Sequence, residues 1–320
     1  PDLTLFPDMK RDAVSLVDRF DVPPFSVLDR RSGYWQEMRR RWLALGISPA
    51  EGRDGALVHD CDLRSDDFSQ RLAASDRRGG TSLFDPALAA IAVRWYSPAG
   101  GHVYDPFAGG SVRGLVSGIL GRSYVGVDVR AEQVDANDSQ AESMDVEMVR
   151  PTWLVGDGTC AAPTSGADLV LTCPPYFDLE RYSDLPHDLS AMSDADFRTA
   201  YAIAIRRSVE ALGPSGFSVW VVGNALDGRG RVKDLVSLTV GAHHDAGAHL
   251  HSDAVVIDPA GHAAMRASRT FPLSRRLTRT HQSFLVFCKG DPAVASRRCE
   301  PFADRTSTLA DDFGSASRGA

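Results

Sequence analysis

Between His102 and Asp128 the chain reads HVYDPFAGGSVRGLVSGILGRSYVGVD, and this stretch limits the fold more than any other. The apolar pair Val103 and Tyr104 leads into a turn, Asp105-Pro-Phe-Ala-Gly-Gly110. Gly109 and Gly110 allow positive φ there and let the backbone come close to a ligand. A helical pattern follows from Ser111 to Leu120, then a strand over Tyr124–Val127 that stops at Asp128. Strand, glycine turn, helix, strand, acid is the first half of a nucleotide-binding βαβ unit. Asp128 lies 23 residues after Asp105 (128 − 105), where such folds place an acid that hydrogen-bonds ribose hydroxyls. The turn lacks full G-x-G-x-x-G spacing and no Gly-Lys-Ser/Thr follows, which argues against a dinucleotide site and a P-loop.

Downstream, strands and helices keep alternating. Ala131–Met144 is polar and helix-friendly, and Thr152–Val155 reads as a strand ending in Gly156-Asp157-Gly158. Asp168–Thr172 is an apolar strand of the buried parallel type, and it runs into Cys173-Pro174-Pro175-Tyr176. A long helix over Phe197–Leu212, a strand over Phe217–Val222, a helix over Asp234–Ala246 and a strand over Ala254–Ile257 come next. Residues 258–281 read as a basic loop, and Ser283–Phe287 as a last strand. This pattern predicts an α/β fold, a doubly wound and mostly parallel sheet. The final strand follows a loop rather than a helix, so it is expected antiparallel. Upstream, Asp85-Pro86 is a cap-and-proline start for a helix over Ala87–Tyr96, placed directly before the glycine turn.

Residues 1–80 read as a helical appendage and linker, 81–290 as the α/β domain with 225–280 as its substrate-reading segment, and 291–320 as a disordered tail. In the appendage, Tyr34–Leu45 has helical periodicity, with Trp35, Met38, Trp42 and Leu45 on one face beside Arg39, Arg40 and Arg41. It is either a helix packing its aromatics on the main domain or one touching a phosphate backbone, and the first reading is preferred. Five scattered cysteines never spaced C-x-x-C suggest reduced thiols and a cytoplasmic protein rather than a disulfide framework. No apolar run approaches the roughly 20 residues that cross a bilayer, so no membrane partner is expected. His243, His244, His249 and His251 have no accompanying carboxylate pattern and are read as surface residues, with no metal site.

The turn DPFAGG and the motif TCPPY together resemble those of the DNA amino-methyltransferases, and TSLFDP resembles the segment that closes over their cofactor. The resemblance covers roughly residues 81–290, and the VPPFSVLD and GYWQE prelude is similar to a phage-type branch. The motif order is similar to the gamma arrangement. The resemblance implies a class I, Rossmann-like methyltransferase fold using S-adenosylmethionine. It implies a cofactor site at Thr81, Phe84, Asp85, Asp105, Pro106, Phe107, Ala108, Gly109, Gly110, Asp128 and Asp157. In that carry-over Asp105 and Gly109 line the methionine end, Asp128 holds the ribose and Asp157 meets the adenine amino group. The catalytic set is Cys173, Pro174, Pro175 and Tyr176, and the partner is double-stranded DNA with a flipped base. A partner subunit or a further N-terminal domain remains open.

The chemistry agrees. An exocyclic amino nitrogen is a poor nucleophile because its lone pair is delocalised into the ring. An acceptor at the first motif position and the Pro174 carbonyl can bind the amino hydrogens, while two prolines fix that carbonyl's direction. Tyr176 offers a face on which a displaced base can stack. The family carries Asp, Asn or Ser where this chain has Cys173, a weak acceptor; Thr-Cys for Thr-Ser favours cytosine N4 over adenine N6. Three alternatives stay open: a carbon-5 methyltransferase with Cys173 as nucleophile, an RNA or protein-amide methyltransferase, and a silent cofactor- or DNA-binding module. Net charge is −7, so DNA contact requires a local patch, and Arg266, Arg269, Arg275, Arg276, Arg279 and His281 supply it.

Overall fold

The Asp85-Pro86 pair starts its helix as its chemistry requires. Asp85 Oδ1 accepts the Ala87 N–H at 2.9 Å, and the proline takes the first turn, where an N–H would have no helical partner. The computed structural model describes residues 15–52, 83–177, 183, 185, 187–227, 229–259, 261 and 263–302, and every structural statement concerns these. The strands are β1 (Val27–Asp29), β2 (His102–Asp105), β3 (Ser123–Asp128), β4 (Thr152–Val155), β5 (Ala167–Thr172), β6 (Leu212–Val222), β7 (Ala248–Ile257) and β8 (His281–Lys289). Around them lie helices α1 (Leu16–Phe20), α2 (Gly33–Ala44), α3 (Pro86–Tyr96), α4 (Val112–Ile119) and α5 (Ala131–Ser143). Helices α6 (Asp194–Ala211), α7 (Leu235–Asp245), α8 (Ala263–Ser274) and α9 (Pro292–Arg298) complete the set.

The strands form one sheet in the order β1-β7-β8-β6-β5-β2-β3-β4. All neighbours pair in parallel except β8, which runs antiparallel to both β6 and β7. The expected doubly wound sheet with an antiparallel last strand is therefore present. Side chains alternate between two covered faces, as strand geometry demands. Val103, Leu169 and Val219 pack with Trp35 and Trp42 of α2, Ile91 of α3 and Leu115 of α4. Their neighbours Tyr104, Val170 and Trp220 pack on the opposite face with Phe197, Tyr201 and Ile205 of α6 and Leu235 of α7. From β2 the chain first builds outward through β3 and β4, then returns to build β5 and β6 on the other side. The crevice at the carboxyl ends of β2 and β5 is the switch point where ligands settle in such sheets.

Several expectations need correction. Part of the segment read as an appendage belongs to the sheet: β1 pairs in parallel with β7, and α2 buries Trp35, Met38 and Trp42 in the shared core. Its arginines serve locally, with Arg40 and Arg41 paired to Glu37 and Arg39 near Asp85 at 3.9 Å. The basic loop 258–281 contains α8, whose Ala-rich start is helix-favouring and whose Pro272 falls only in its last turn. The tail does not begin as disorder: Asp291 caps α9 by accepting the Ala293 N–H at 2.7 Å, with Pro292 in the first turn. His243 is a core residue rather than a surface one. It stacks on Phe287 with centroids 3.7 Å apart and bonds the Thr239 carbonyl at 2.8 Å, and burial pushes its pKa down to about 3. The linker expected over 49–80 lies mostly outside the described residues, as does Thr81.

Candidate functional site

At the switch point the end of β2 is tied down by one carboxylate. Asp105 is wholly buried, and Oδ2 accepts Arg113 Nε at 2.6 Å and the Tyr124 hydroxyl at 2.9 Å. Oδ1 accepts the Thr172 hydroxyl at 2.6 Å and the Phe107 N–H at 3.1 Å. One side chain thus joins β2, β3, β5 and α4. Burial first, and Asp105 second, hold the Tyr124 pKa far above the usual phenol value, so it remains a donor. Arg113 also donates to the Phe107 and Ala108 carbonyls at 2.7 and 2.9 Å and lies 4.5 Å from the Phe84 ring centroid. The turn is therefore fixed from beneath. Asp105 was expected to line the methionine end, but these bonds face it into the protein and it does not line the cleft.

From above, Asp128 fixes the same turn. Its Oδ2 accepts the Gly109 N–H at 2.9 Å and its Oδ1 the Arg130 N–H at 2.9 Å. Gly109 alone of the two turn glycines takes positive φ, at 50°; Gly110 does not need it. The cleft enclosed by these strand ends holds about 1140 Å³, its open mouth included. Phe84, Asp85, Pro106, Phe107, Gly109, Gly110, Asp128 and Asp157 line it, together with Cys173 and Pro175. Ala108, Pro174 and Tyr176 do not. Ala108 is buried against β3, and its N–H donates to the Val127 carbonyl at 2.8 Å.

Cys173, at the carboxyl end of β5, exposes part of its side chain to the cleft with Sγ 3.5 Å from the Tyr176 hydroxyl. That hydroxyl also lies 3.3 Å from the Val221 carbonyl and 3.2 Å from Gln282 Oε1. The Tyr176 ring rests on Gly223, where an added Cβ would stand 3.0 Å from it. The motif is thus braced by β6 and β8.

Among the cleft residues that the sequence reading does not place there are Arg30, Arg113, Arg130, His187, Asp188 and Gln282. Arg30 follows β1 and pairs with Asp85 at 2.9 Å and Asp258 at 2.6 Å, while Trp35 Nε1 donates to Asp85 at 3.1 Å. His187 Nδ1 stands 3.5 Å from Asp157 Oδ2. The burial of Asp105 at a strand end signals a cation such as Arg113; nothing local in the sequence signals Arg30.

The six residues expected to meet DNA are partly gathered. Arg266 and Arg269 lie on α8, Arg275 ends it at φ 54°, and Arg276 donates to the Gly230 carbonyl. Arg279 and His281 stand at the start of β8, where Arg279 Nε donates to the His281 carbonyl at 2.9 Å. Burial, then neighbouring Arg279, lowers the His281 pKa from its ordinary value, against the opposing pull of Asp258. Among the described residues no group of His, Cys, Asp and Glu could hold a metal ion, and no helix is long and apolar enough to cross a membrane.

The sheet is mixed and mostly parallel, with β8 antiparallel between β6 and β7, and its parallel part is Rossmann-like. Similar solved structures include a TehB-like S-adenosylmethionine-dependent methyltransferase from Corynebacterium glutamicum, 16% identical, covering 69% of this chain and 96% of that one at TM-score 0.39. An S-adenosylmethionine-dependent methyltransferase from Methanosarcina mazei is 14% identical over 61% of this chain and 95% of its own, at TM-score 0.41. Magnesium protoporphyrin IX methyltransferase from Synechocystis, with S-adenosylmethionine bound, is 10% identical over 64% and 76%, at TM-score 0.40. No protein-family model and no curated protein matches the chain.

Proposed function

We propose that the protein is an S-adenosylmethionine-dependent methyltransferase acting on the exocyclic amino group of a DNA base, cytosine N4 ahead of adenine N6. One observation carries the reading: a single cleft joins the glycine turn and the strand-end acids Asp128 and Asp157 to Cys173 and Pro175. The lining suits the cofactor. Two carboxylates sit where hydroxyl and amino groups need acceptors, Phe107 and Leu189 supply apolar walls, and the turn brings bare backbone to the cleft. Gly158 lets the loop after β4 lie directly against the turn, because a Cβ there would meet the Pro106 carbonyl at 2.4 Å.

S-adenosylmethionine, which the glycine turn, Asp128 and Asp157 would hold, would supply an activated methyl group to the amino nitrogen, with a thioether as leaving group and the amino proton lost to water. The chain's own task is positioning. Asp128 orients the ribose end and, through Gly109, keeps the turn in place. Cys173, which lines the cleft at the end of β5, accepts from an amino hydrogen and turns the nitrogen lone pair toward the methyl. Tyr176, held by Val221 and Gln282, sets the angle of the Pro-Pro segment. DNA is favoured over other amine substrates by the arginines that project from the same edge of the sheet.

The test is transfer of tritiated methyl from S-adenosylmethionine to duplex DNA, RNA and protein offered separately. Label in DNA supports the reading. Label confined to RNA or protein refutes the substrate, and cofactor binding without transfer to any of them points to a silent module.

A further inference from the structure

Residues 259–290 contain no aspartate or glutamate, yet they carry five arginines and Lys289 in a chain of net charge −7. The span leaves the sheet at the carboxyl end of β7 and returns as β8, fastened at its foot by the Asp258 N–H donating to the Thr280 carbonyl at 3.0 Å. Val256 and Gln282, at that foot, line the cleft. Beyond it α8 buries only Ala263. Leu273 and Leu277 are 89% and 81% exposed, more than any other large apolar side chain among the described residues. Single exposed leucines are ordinary, but two this bare within five residues, beside exposed Met265 and Phe271, form a surface that calls for a partner.

Charge selects the partner. Among the described residues none of the five arginines makes an ion pair with an acid. Arg275 and Arg276 lie between the two leucines, and Arg279 follows them. A second copy of the same face would set two basic surfaces against each other. The contact of Arg276 with the Gly230 carbonyl holds this tip against the loop after β6, so it is presented rather than free.

We propose that Leu273 and Leu277 form a wedge that enters the base stack of a DNA duplex while the surrounding arginines hold its phosphates. Apolar side chains between base steps unstack them, and enzymes that modify a base must take it out of the stack. A wedge rooted beside Val256 and Gln282 opens the duplex next to the cleft that receives the base. This inference rests on the DNA reading above.

The experiment compares wild type with a Leu273→Ala/Leu277→Ala variant on one linear plasmid, offered as duplex and after heat denaturation, with tritiated S-adenosylmethionine. The wedge predicts a loss of about tenfold or more on the duplex, the scale of an unstacking cost, with denatured DNA methylated within about twofold of wild type. Equal rates on the duplex overturn the wedge and leave the DNA reading standing. Equal losses on both substrates also overturn it, because they place the defect elsewhere. A wild type that labels neither form of DNA overturns the underlying reading instead. A dimer seen by light scattering and split by the same variant assigns the surface to a second copy.

Discussion

The two ends of the cleft are built in opposite ways. On the cofactor side the buried acid is fully engaged: Asp105 alone accepts from Arg113, Tyr124, Thr172 and the Phe107 N–H, and Asp128 holds the turn from above. On the α8 side cations outnumber partners, and apolar side chains stand in solvent. The first arrangement is preorganised, so it positions a ligand without first having to order itself. The second presents cations and apolar side chains to solvent, as the proposed DNA partner would require. Substitutions on the cofactor side should therefore affect stability and small-molecule binding, and those on α8 the macromolecular partner alone.

Arg113→Leu gives the largest expected effect. Removing one member of a buried ion pair strands the other charge, at about 3–5 kcal/mol. Urea unfolding should show that loss, together with weaker cofactor binding; a change below about 1 kcal/mol would mean that Asp105 finds water or another partner. Asp128→Ala comes next. Hydrogen bonds to a charged group contribute about 1.5–3 kcal/mol, so calorimetry should show S-adenosylmethionine bound at least about tenfold more weakly. An unchanged affinity would remove Asp128 from the site.

Acid should loosen the core through His243, whose pKa is pushed from its ordinary value of 6.5 to about 3 by burial. The unfolded chain takes up the proton below about pH 6.5 and the folded one does not. Stability is therefore fully present above that pH and falls by about 1.4 kcal/mol per pH unit as pH drops toward 3. Urea midpoints between pH 7 and 5 check this, and a His243→Phe variant should show a shallower dependence. A slope identical to wild type would assign the acid sensitivity to other groups.

The mildest effect on the fold is expected from Arg266→Ala/Arg269→Ala. Exposed substitutions of this kind stay within about 0.5 kcal/mol in stability. The salt dependence of duplex binding, read by fluorescence anisotropy, should become shallower by about 0.9 in log–log slope for each lost phosphate contact. An unaltered slope would separate α8 from DNA and erase the contrast between the two ends.

How much of this was legible in the sequence follows the range of each interaction. The glycine turn, Asp128 and the placement of Cys173 at a strand end were readable because a strand, its turn and the next helix are neighbours in the chain, whereas Pro174 and Tyr176, expected beside Cys173, do not line the cleft. Asp85-Pro86 is readable for the same reason, while at Asp291-Pro292 the same cap-and-proline signal is masked by the Ser/Ala/Asp-rich composition around it. Arg30 was not readable. It reaches the cleft through β1, three residues long, whose partner β7 lies more than two hundred residues away and leaves no local trace. Asp105 was given a ligand role because its position fits one, yet the pattern could not show that Arg113, Tyr124 and Thr172 already occupy it. His243 looked like surface because histidines cluster around it, although α7 turns it inward against Phe287.

The central claim is that Cys173 acts as a cleft-lining acceptor for an amino group and not as a nucleophile. The direct measurement is mass spectrometry of nucleosides from DNA treated with S-adenosylmethionine and either wild type or Cys173→Ser. The account predicts N4-methylcytosine from both, with the serine variant at least as active, since a hydroxyl is the better acceptor. Carbon-5-methylated cytosine from wild type, with an inactive serine variant, would contradict it.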